Sequence, residues 1–196
     1  MALTKQAKIL TKPQADAVLT YLSTTRYPVR DRVIFLLSVK AGLRAKEIAS
    51  LTWPMVTDAE GRLADLISLT DNASKGRGGR SIPINKELKA ALLLLKEEAG
   101  SSPRPSPFVV TSERGGPTSA AVIVNKFAGW YRALGFIGAS SHSGRRTFIT
   151  NAARRNSTVG GSLRDIQLLA GHSALGTTQR YIEADGLAQK RIVDLI

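Results

Sequence analysis

The 196-residue chain is strongly basic: 28 Lys and Arg oppose 15 Asp and Glu, which gives a formal net charge of +13. This excess favours a polyanionic partner, because each phosphate that a basic side chain neutralises releases condensed counterions. The chain has no cysteine, which excludes disulfide frameworks, thiolate metal sites and cysteine nucleophiles. No apolar run approaches the roughly 20 residues that cross a bilayer, and the polar N-terminus is unlike a signal peptide. The composition therefore predicts an intracellular nucleic-acid-binding protein, with one domain over residues 1–196 and no membrane partner.

Helices dominate the predicted secondary structure. Thr11 followed by Pro13 and Gln14 is typical of a helix start. The apolar spacing after Val29 predicts a second, deeply buried helix that Gly42 is suited to end. The other helical patterns cover, in chain order, residues 44–51, 86–99, a stretch after Thr118, a stretch with Ser143 as its N-cap, 163–170 and 177–184.

One region breaks the helical pattern. Residues 58–61 predict a turn, residues 63–69 and 80–84 predict short strands, and residues 74–79 predict a glycine-rich tip between the strands. The Ser- and Pro-rich stretch 100–107 is interpreted as a surface loop, because no self-sufficient second core follows it. The predicted fold class is mainly α with a small antiparallel β-sheet (α+β).

Residues 41–47 place an arginine at the start of a helix. The Arg44 guanidinium would present a planar fork to two phosphate oxygens. Glu47 lies three residues further on, close enough to orient it. By itself this pattern is weak, because an arginine near a helix start is usually a solvated surface group.

Residues 75–83 form a basic tip between the two predicted strands. Lys75, Arg77 and Arg80 are interleaved with glycines, which let the backbone approach a ligand closely. The pattern is compatible with a nucleic-acid contact and equally with a soluble, charged hairpin tip.

Residues 142–147 predict a second cationic helix start. Ser143 as N-cap would gather backbone amides, the helix dipole, Arg145 and Arg146 near one point, an arrangement that suits an anion. The alternative interpretation is an ordinary capped helix with a basic exposed face.

Residues 168–181 contain the second of the two histidines of the chain. His172 follows the helix-ending Gly171, and Tyr181 lies nine residues beyond it on the predicted last helix. A single tyrosine on an amphipathic helix usually serves packing, so Tyr181 gains interest only from the other segments.

Together these segments resemble the catalytic domain of the tyrosine recombinases, the phage-integrase family, over about residues 11–184. The family has Gly-Leu-Arg-x-x-Glu, then Lys-Gly-x-x-x-Arg-x-(Ile/Val)-Pro, then His-x-x-Arg, then Leu-x-Gly-His with a tyrosine nine residues on. The matching residues here are Gly42, Leu43, Arg44, Glu47, Lys75, Gly76, Arg80, Ile82, Pro83, His142, Arg145, Leu169, Gly171, His172 and Tyr181.

Two departures accompany the resemblance. Many members have Leu and His around the second arginine, where this chain has Gly144 and Arg146, which raises the question of local packing and of an extra phosphate contact. Most members also carry an N-terminal core-binding domain, for which 196 residues leave no room. The chain resembles the short members that consist of a catalytic domain alone, such as the fimbrial phase-switch recombinases, and a fragment of a longer protein would look the same.

The resemblance implies how the site binds phosphate. Arg44 and Arg145 would hold the non-bridging oxygens, and His172 would add a hydrogen bond to them. Glu47 would orient Arg44 from behind. Further DNA contacts are predicted at Lys46, Arg77, Arg80, Arg146 and Arg180.

The resemblance also implies a reaction on DNA strands. Tyr181 would attack phosphorus with His142 assisting removal of its proton, and Lys75 would protonate the departing 5′-hydroxyl. The product is a 3′-phosphotyrosyl bond, which a 5′-hydroxyl reverses. Because one phosphoester replaces another, neither ATP, a metal nor another cofactor is needed.

The implied partner is double-stranded DNA, bound by a homotetramer, with a monomer expected in its absence. The tail from Leu187 docks either on a neighbouring subunit or on its own domain. The expected location is the cytoplasm, in association with the nucleoid.

Three other functions compete with the recombinase. A DNA-binding regulator that lost the reaction would not need a tyrosine at this spacing. A type IB topoisomerase shares the chemistry, and the chain's size and recombinase-like spacings favour strand exchange over it. A metal-dependent nuclease is poorly supported, because no carboxylates and histidines cluster at ligand spacing.

Overall fold

The structure is a computed structural model that describes residues 7–70, 79–101, 105–181 and 193–194. The chain divides into two compact units, residues 1–148 and residues 149–196, called the first and second unit below. The expectation of one domain over residues 1–196 stays a prediction.

Within the described residues the fold consists of eight α-helices, two strands and two short 3-10 helices. The helices are α1 (Lys12–Leu22), α2 (Pro28–Ala41), α3 (Ala45–Ser50), α4 (Lys86–Gly100), α5 (Ala120–Ala133), α6 (Ser143–Arg155), α7 (Leu163–Ala170) and α8 (Leu175–Gln179). The strands are β1 (Leu66–Leu69) and β2 (Arg80–Pro83), and the 3-10 helices are Trp53–Met55 and Asn156–Val159. The predicted class, mainly α with a small antiparallel sheet, is confirmed. No helix in the described part of the chain is long and apolar enough to cross a membrane.

Helix α2 forms the centre of the first unit. Its residues from Val33 to Val39 are all buried and all but Ser38 are apolar, as expected for a helix segment covered on every side. It packs against α1, α3 and α4, while α5 packs on α1 and α3 and brings Phe127 within 6.5 Å of Phe35, measured between ring centroids. The helix ends at Gly42, whose positive φ of 66° is the conformation that glycine adopts without a steric cost.

The two-stranded sheet fixes the position of Arg80. The strands pair in antiparallel register from Leu66 opposite Pro83 to Leu69 opposite Arg80. Ile67 and Ile82 are direct partners and both are buried, whereas Leu66 and Pro83 are exposed. The two predicted strands are therefore confirmed, and each is shorter than predicted.

The second unit contains α7 and α8. Helix α7 spans the predicted residues, begins at the capping box of Ser162 and Asp165, and ends at Gly171 with φ 61°. Helix α8 covers Leu175–Gln179 and Tyr181 lies in the turn after it, so the prediction that a helix carries Tyr181 was wrong. Residues 182–184 of the predicted helix lie outside the described residues. Because glycine and threonine favour helix weakly, the five-residue sequence LGTTQ forms little more than one turn.

Candidate active site

Glu47 and Arg44 are held together at the start of α3. Arg44 is the extended residue before the helix, and its backbone N–H donates to Glu47 Oε2 over 2.8 Å. Its Nη1 donates to Glu47 Oε1 over 2.9 Å. The Glu47 side chain is fully buried, while that of Arg44 is 24% exposed. The spacing of the two residues therefore brings them into contact as the sequence predicts.

Arg80 binds the same carboxylate from the sheet. Its Nη1 donates to Glu47 Oε1 over 2.8 Å and its Nη2 donates to Glu47 Oε2 over 2.9 Å, which is the two-pronged geometry of strong arginine–carboxylate pairs. The Arg80 side chain is only 9% exposed. This geometry directs Arg80 towards Glu47 and gives no support to the DNA contact predicted for it.

The two arginines determine the charge of Glu47. Burial by itself raises the pKa of a carboxyl, but the hydrogen bonds and charges of Arg80 and then Arg44 outweigh it and lower the pKa of Glu47 below its ordinary value. Glu47 is therefore ionised at neutral pH. The Glu47 carboxylate binds the guanidiniums of both Arg44 and Arg80, and so holds the Arg44 side chain in one position.

Arg145 reaches the same turn from α6. The residue is 4% exposed, and its Nη1 donates to the carbonyl oxygen of Gly42 over 2.6 Å. Gly42 lies two residues before Arg44, so the structure brings residues 41–47 and residues 142–147 together. Gly144 lies against Ser38, where any added Cβ would overlap the Ser38 hydroxyl. This contact leaves no space at position 144 for the leucine of many tyrosine recombinases.

The other predicted residues of the first unit are more peripheral. His142 is exposed immediately before α6, and its carbonyl accepts from the Arg146 N–H over 2.9 Å. Ser143 is the first residue of α6, and its hydroxyl accepts from the Ser140 N–H, so it is not the cap that the sequence predicts. Lys46 is exposed and Arg146 is half-buried. Lys75 and Arg77 lie outside the described residues.

His172 and Tyr181 are neighbours in the second unit. Their rings stack with centroids 5.6 Å apart and planes inclined by 21°. The backbone of His172 makes two hydrogen bonds to Gln167. Its N–H donates to the Gln167 carbonyl, and its own carbonyl accepts from Gln167 Nε2 over 2.9 Å. Tyr181 follows α8, with its N–H bonded to the carbonyl of Thr178, and the adjacent Arg180 is exposed.

Two residues near His172 were missed by the sequence reasoning. Thr178 is fully buried, and its Oγ1 lies 2.9 Å from His172 Nδ1. Gln167, 5% exposed, binds the His172 carbonyl. The sequence contains part of the information needed to find them, because a polar residue on the buried side of a short helix usually has a hydrogen-bond partner.

The arrangement can bind an anion and contains no evident metal site. Guanidiniums held by a buried carboxylate and a backbone carbonyl suit phosphate, whose oxygens accept charge-assisted hydrogen bonds. In the part of the chain that the structure describes, no three His, Asp or Glu side chains cluster as metal ligands do.

Comparison with known proteins identifies the family. The phage integrase family profile matches residues 8–186. The chain belongs to the phage integrase family. This family member is 33% identical over 171 residues to the tyrosine recombinase XerC of Bradyrhizobium diazoefficiens, covering 85% of this chain and 48% of that protein. It is 32% identical over 170 residues to XerC of Nitrobacter winogradskyi, with the same coverages. The chain spans about half the length of the curated relatives it matches.

Solved structures of the family share the fold. XerA recombinase superposes with a TM-score of 0.77 at 22% identity, covering 95% of this chain and 64% of that one. XerH site-specific recombinase bound to difH substrate gives a TM-score of 0.74 at 17% identity, covering 98% of this chain and 55% of that one. The mainly helical architecture with its two-stranded sheet is thus the fold of the phage integrase family.

Proposed function

We propose that this family member is a site-specific DNA recombinase of the integrase, invertase or resolvase type, which cleaves and rejoins strands through a covalent bond between Tyr181 and a 3′-phosphate. The observation that carries the proposal is the hydrogen bond from Arg145 to the Gly42 carbonyl, because it joins two guanidiniums from distant parts of the sequence at one turn. Relatives named tyrosine recombinase and a lambda integrase dimer bound to a core site support the same function.

Phosphate binding is the first part of the mechanism. Arg44 and Arg145 hold the non-bridging oxygens, and His172 donates a third hydrogen bond. Preorganised donors of this kind each contribute about 2.7–4 kcal/mol when charge develops in the transition state. Glu47 holds Arg44 in place before the substrate arrives, so little reorganisation is needed during the reaction.

Strand cleavage then exchanges one phosphoester for another. A phenol is a poor nucleophile at neutral pH because it is mostly protonated, so His142 assists removal of the Tyr181 proton. The phenolic oxygen forms a bond to phosphorus while the bond to the 5′-oxygen breaks. Lys75 gives the departing oxygen its proton. Attack by a 5′-hydroxyl reverses every step, and no ATP, metal or other cofactor takes part.

The proposed partner is double-stranded DNA. Lys46, Arg146 and Arg180 are exposed or half-buried basic residues that would bind its backbone. Residues 1–196 would act as one catalytic domain, monomeric alone and assembled as a homotetramer on DNA at the nucleoid in the cytoplasm. The tail from Leu187, of which the structure describes only Val193 and Asp194, would dock on a neighbouring subunit or on its own domain.

A covalent trap tests the chemistry. A duplex selected from a random pool for binding to the chain is nicked, so that the cleaved fragment diffuses away and the adduct persists. The native chain and the Tyr21→Phe control should yield the adduct, and Tyr181→Phe should bind the same duplex without yielding it. Binding without an adduct from the native chain would favour a regulator that has lost the reaction.

A second assay separates recombination from topoisomerase activity. Supercoiled DNA with two copies of the selected site should yield recombined products. Relaxation without exchange between the two sites would contradict the recombinase proposal and favour a type IB topoisomerase.

A further inference from the structure

The hydroxyl of Thr178 occupies an unusual position in the second unit. Thr178 is fully buried, and its Oγ1 lies 2.9 Å from Nδ1 of His172. Among the residues that the structure describes, this hydroxyl makes no other hydrogen bond. In particular, it does not donate to a carbonyl of the preceding helical turn, as the Thr20 hydroxyl does to Asp16.

The single partner determines which group donates. A hydroxyl has one hydrogen to donate and two lone pairs, and a neutral imidazole has one nitrogen of each kind. If Nδ1 donated to Thr178, the hydroxyl hydrogen would remain buried without an acceptor, which is costly. If Thr178 donates to Nδ1, no donor is left without a partner and only the two lone pairs of the hydroxyl are unused, which buried oxygen acceptors tolerate better than buried donors do. The second arrangement is therefore the more stable one.

We propose that Thr178 is a positioning residue whose hydroxyl donates to His172 Nδ1 and so holds the imidazole as the tautomer with its proton on Nε2. The hydrogen bond that one ring nitrogen makes determines which nitrogen carries the proton. The inference rests on the proposed function in one respect: Nε2–H is the donor that His172 presents to a phosphate oxygen. The Thr178 hydroxyl acts only through His172.

The surrounding contacts fix the orientation of the same ring. The Gln167 side chain and backbone bind the His172 backbone, and the Tyr181 ring stacks on the imidazole at 21°. Thr178 also accepts, through its carbonyl, the hydrogen bond of the Tyr181 N–H. One buried residue thus contacts both the histidine and the proposed nucleophile, which links the position of the donor to that of the phenol.

Nitrogen spectroscopy of the imidazoles reads the tautomer directly. The chain has only two histidines, so two-bond proton–nitrogen correlations of the native chain are readily assigned with a His142→Gln variant. At alkaline pH, where imidazoles are neutral, His172 should show a protonated Nε2 and an unprotonated, hydrogen-bonded Nδ1. A proton on Nδ1 would overturn the proposal, and this measurement needs no variant of Thr178.

Three variants separate positioning from packing. Thr178→Val keeps the shape and removes the hydroxyl, so the His172 Nδ1 signal should shift, while Thr178→Ser should restore it. Thr177→Val is the matched control, because Thr177 is the exposed neighbour on the same helix. An unchanged Nδ1 signal in Thr178→Val would overturn the proposal.

Cleavage of the nicked duplex provides the functional readout. Thr178→Val should lower the cleavage rate roughly fivefold to tenfold, as expected for the loss of one neutral hydrogen bond, with Thr178→Ser and Thr177→Val near the native rate. Native cleavage by Thr178→Val would overturn the positioning role. Failure of the native chain to form an adduct would contradict the proposed function, whereas the spectra would still decide the tautomer.

Discussion

The arginine cluster of the first unit and the histidine–tyrosine pair of the second unit are held by different forces. Arg44 and Arg80 make four hydrogen bonds of 2.8–2.9 Å to the fully buried Glu47 carboxylate, one of them from the Arg44 backbone. His172 and Tyr181 are held by neutral hydrogen bonds and by contact between their rings. Charge-assisted hydrogen bonds are roughly twice as strong as neutral ones.

The difference fits the two parts of the proposed reaction. Groups that stabilise developing charge act best when they are fixed before the substrate binds, which a buried carboxylate achieves for Arg44. Tyr181, by contrast, must form and break a covalent bond with a large substrate. It follows a five-residue helix and is only half-buried. Substitutions in the first unit should therefore cost more free energy than substitutions in the second.

The largest expected effect is the loss of stability in Glu47→Gln. Removing the charge breaks the ion pair between Glu47 and Arg80, which is 9% exposed, and breaking a buried ion pair from one side costs about 3–5 kcal/mol. Glu60→Gln is the matched control, because Glu60 pairs with Arg62 at the surface with 66% of its side chain exposed, and such pairs contribute about 0–1 kcal/mol. Urea unfolding of both variants measures the difference, and equal losses would contradict the buried charge cluster.

Acid unfolding sharpens the same comparison. The folded-state pKa of Glu47 lies below its ordinary value of 4.5, so its stabilising contribution is complete above that value and is lost as pH falls through the folded pKa. Asp58 and Asp165 also have lowered pKa values and add an acid dependence of their own. That dependence is the same in the native chain and in Glu47→Gln. The free energy of unfolding of the native chain should therefore fall more steeply below pH 4.5 than that of Glu47→Gln. Parallel curves would contradict the assignment.

The next effect concerns cleavage in Arg145→Ala. One preorganised phosphate donor is lost, so the cleavage rate should fall about 10²–10³-fold, while most DNA affinity remains because many phosphate contacts share it. Arg146→Ala is the neighbouring control, which should weaken binding and reduce the slope of log affinity against log salt by about one. Normal cleavage by Arg145→Ala in the covalent trap would show that Arg145 does not hold the phosphate.

The sequence predicted much of this fold, because the signals that begin and end helices are local in sequence. Thr11, Gly42 and Gly171 end or begin helices where their side chains or φ angles require it, and such signals extend over only a few residues. The pairing of Glu47 with Arg80 joins residues 33 apart and depends on the sheet register, which no local pattern determines. The end of α8 before Tyr181 was missed, and Gly176, Thr177 and Thr178 favour helix only weakly.

A smaller effect is expected where the arginine cluster meets α2. Gly42→Ala must adopt φ 66° and places a Cβ 2.5 Å from Phe148 Cδ1, so it should lose about 2–3 kcal/mol of stability. Gly61→Ala has a similar φ of 75° with no described atom within 4 Å of the added Cβ, so it should lose only about 1 kcal/mol. Thermal or urea unfolding compares them. Equal losses would show that the Phe148 contact relaxes freely.

The smallest effect belongs to the second unit and tests how much one neutral hydrogen bond contributes to holding His172. Gln167→Leu removes the hydrogen bond to the His172 carbonyl, which is worth about 1 kcal/mol, and the bond that Gln167 Oε1 accepts from Arg164. The backbone bond from the His172 N–H to residue 167 remains. Hydrogen exchange of the His172 amide should therefore accelerate about fivefold, with Gln179→Leu, on the exposed side of α8, as the unchanged control. A loss as large as that of Glu47→Gln would mean that the second unit is as tightly held as the first, and the contrast between the two regions would then be wrong.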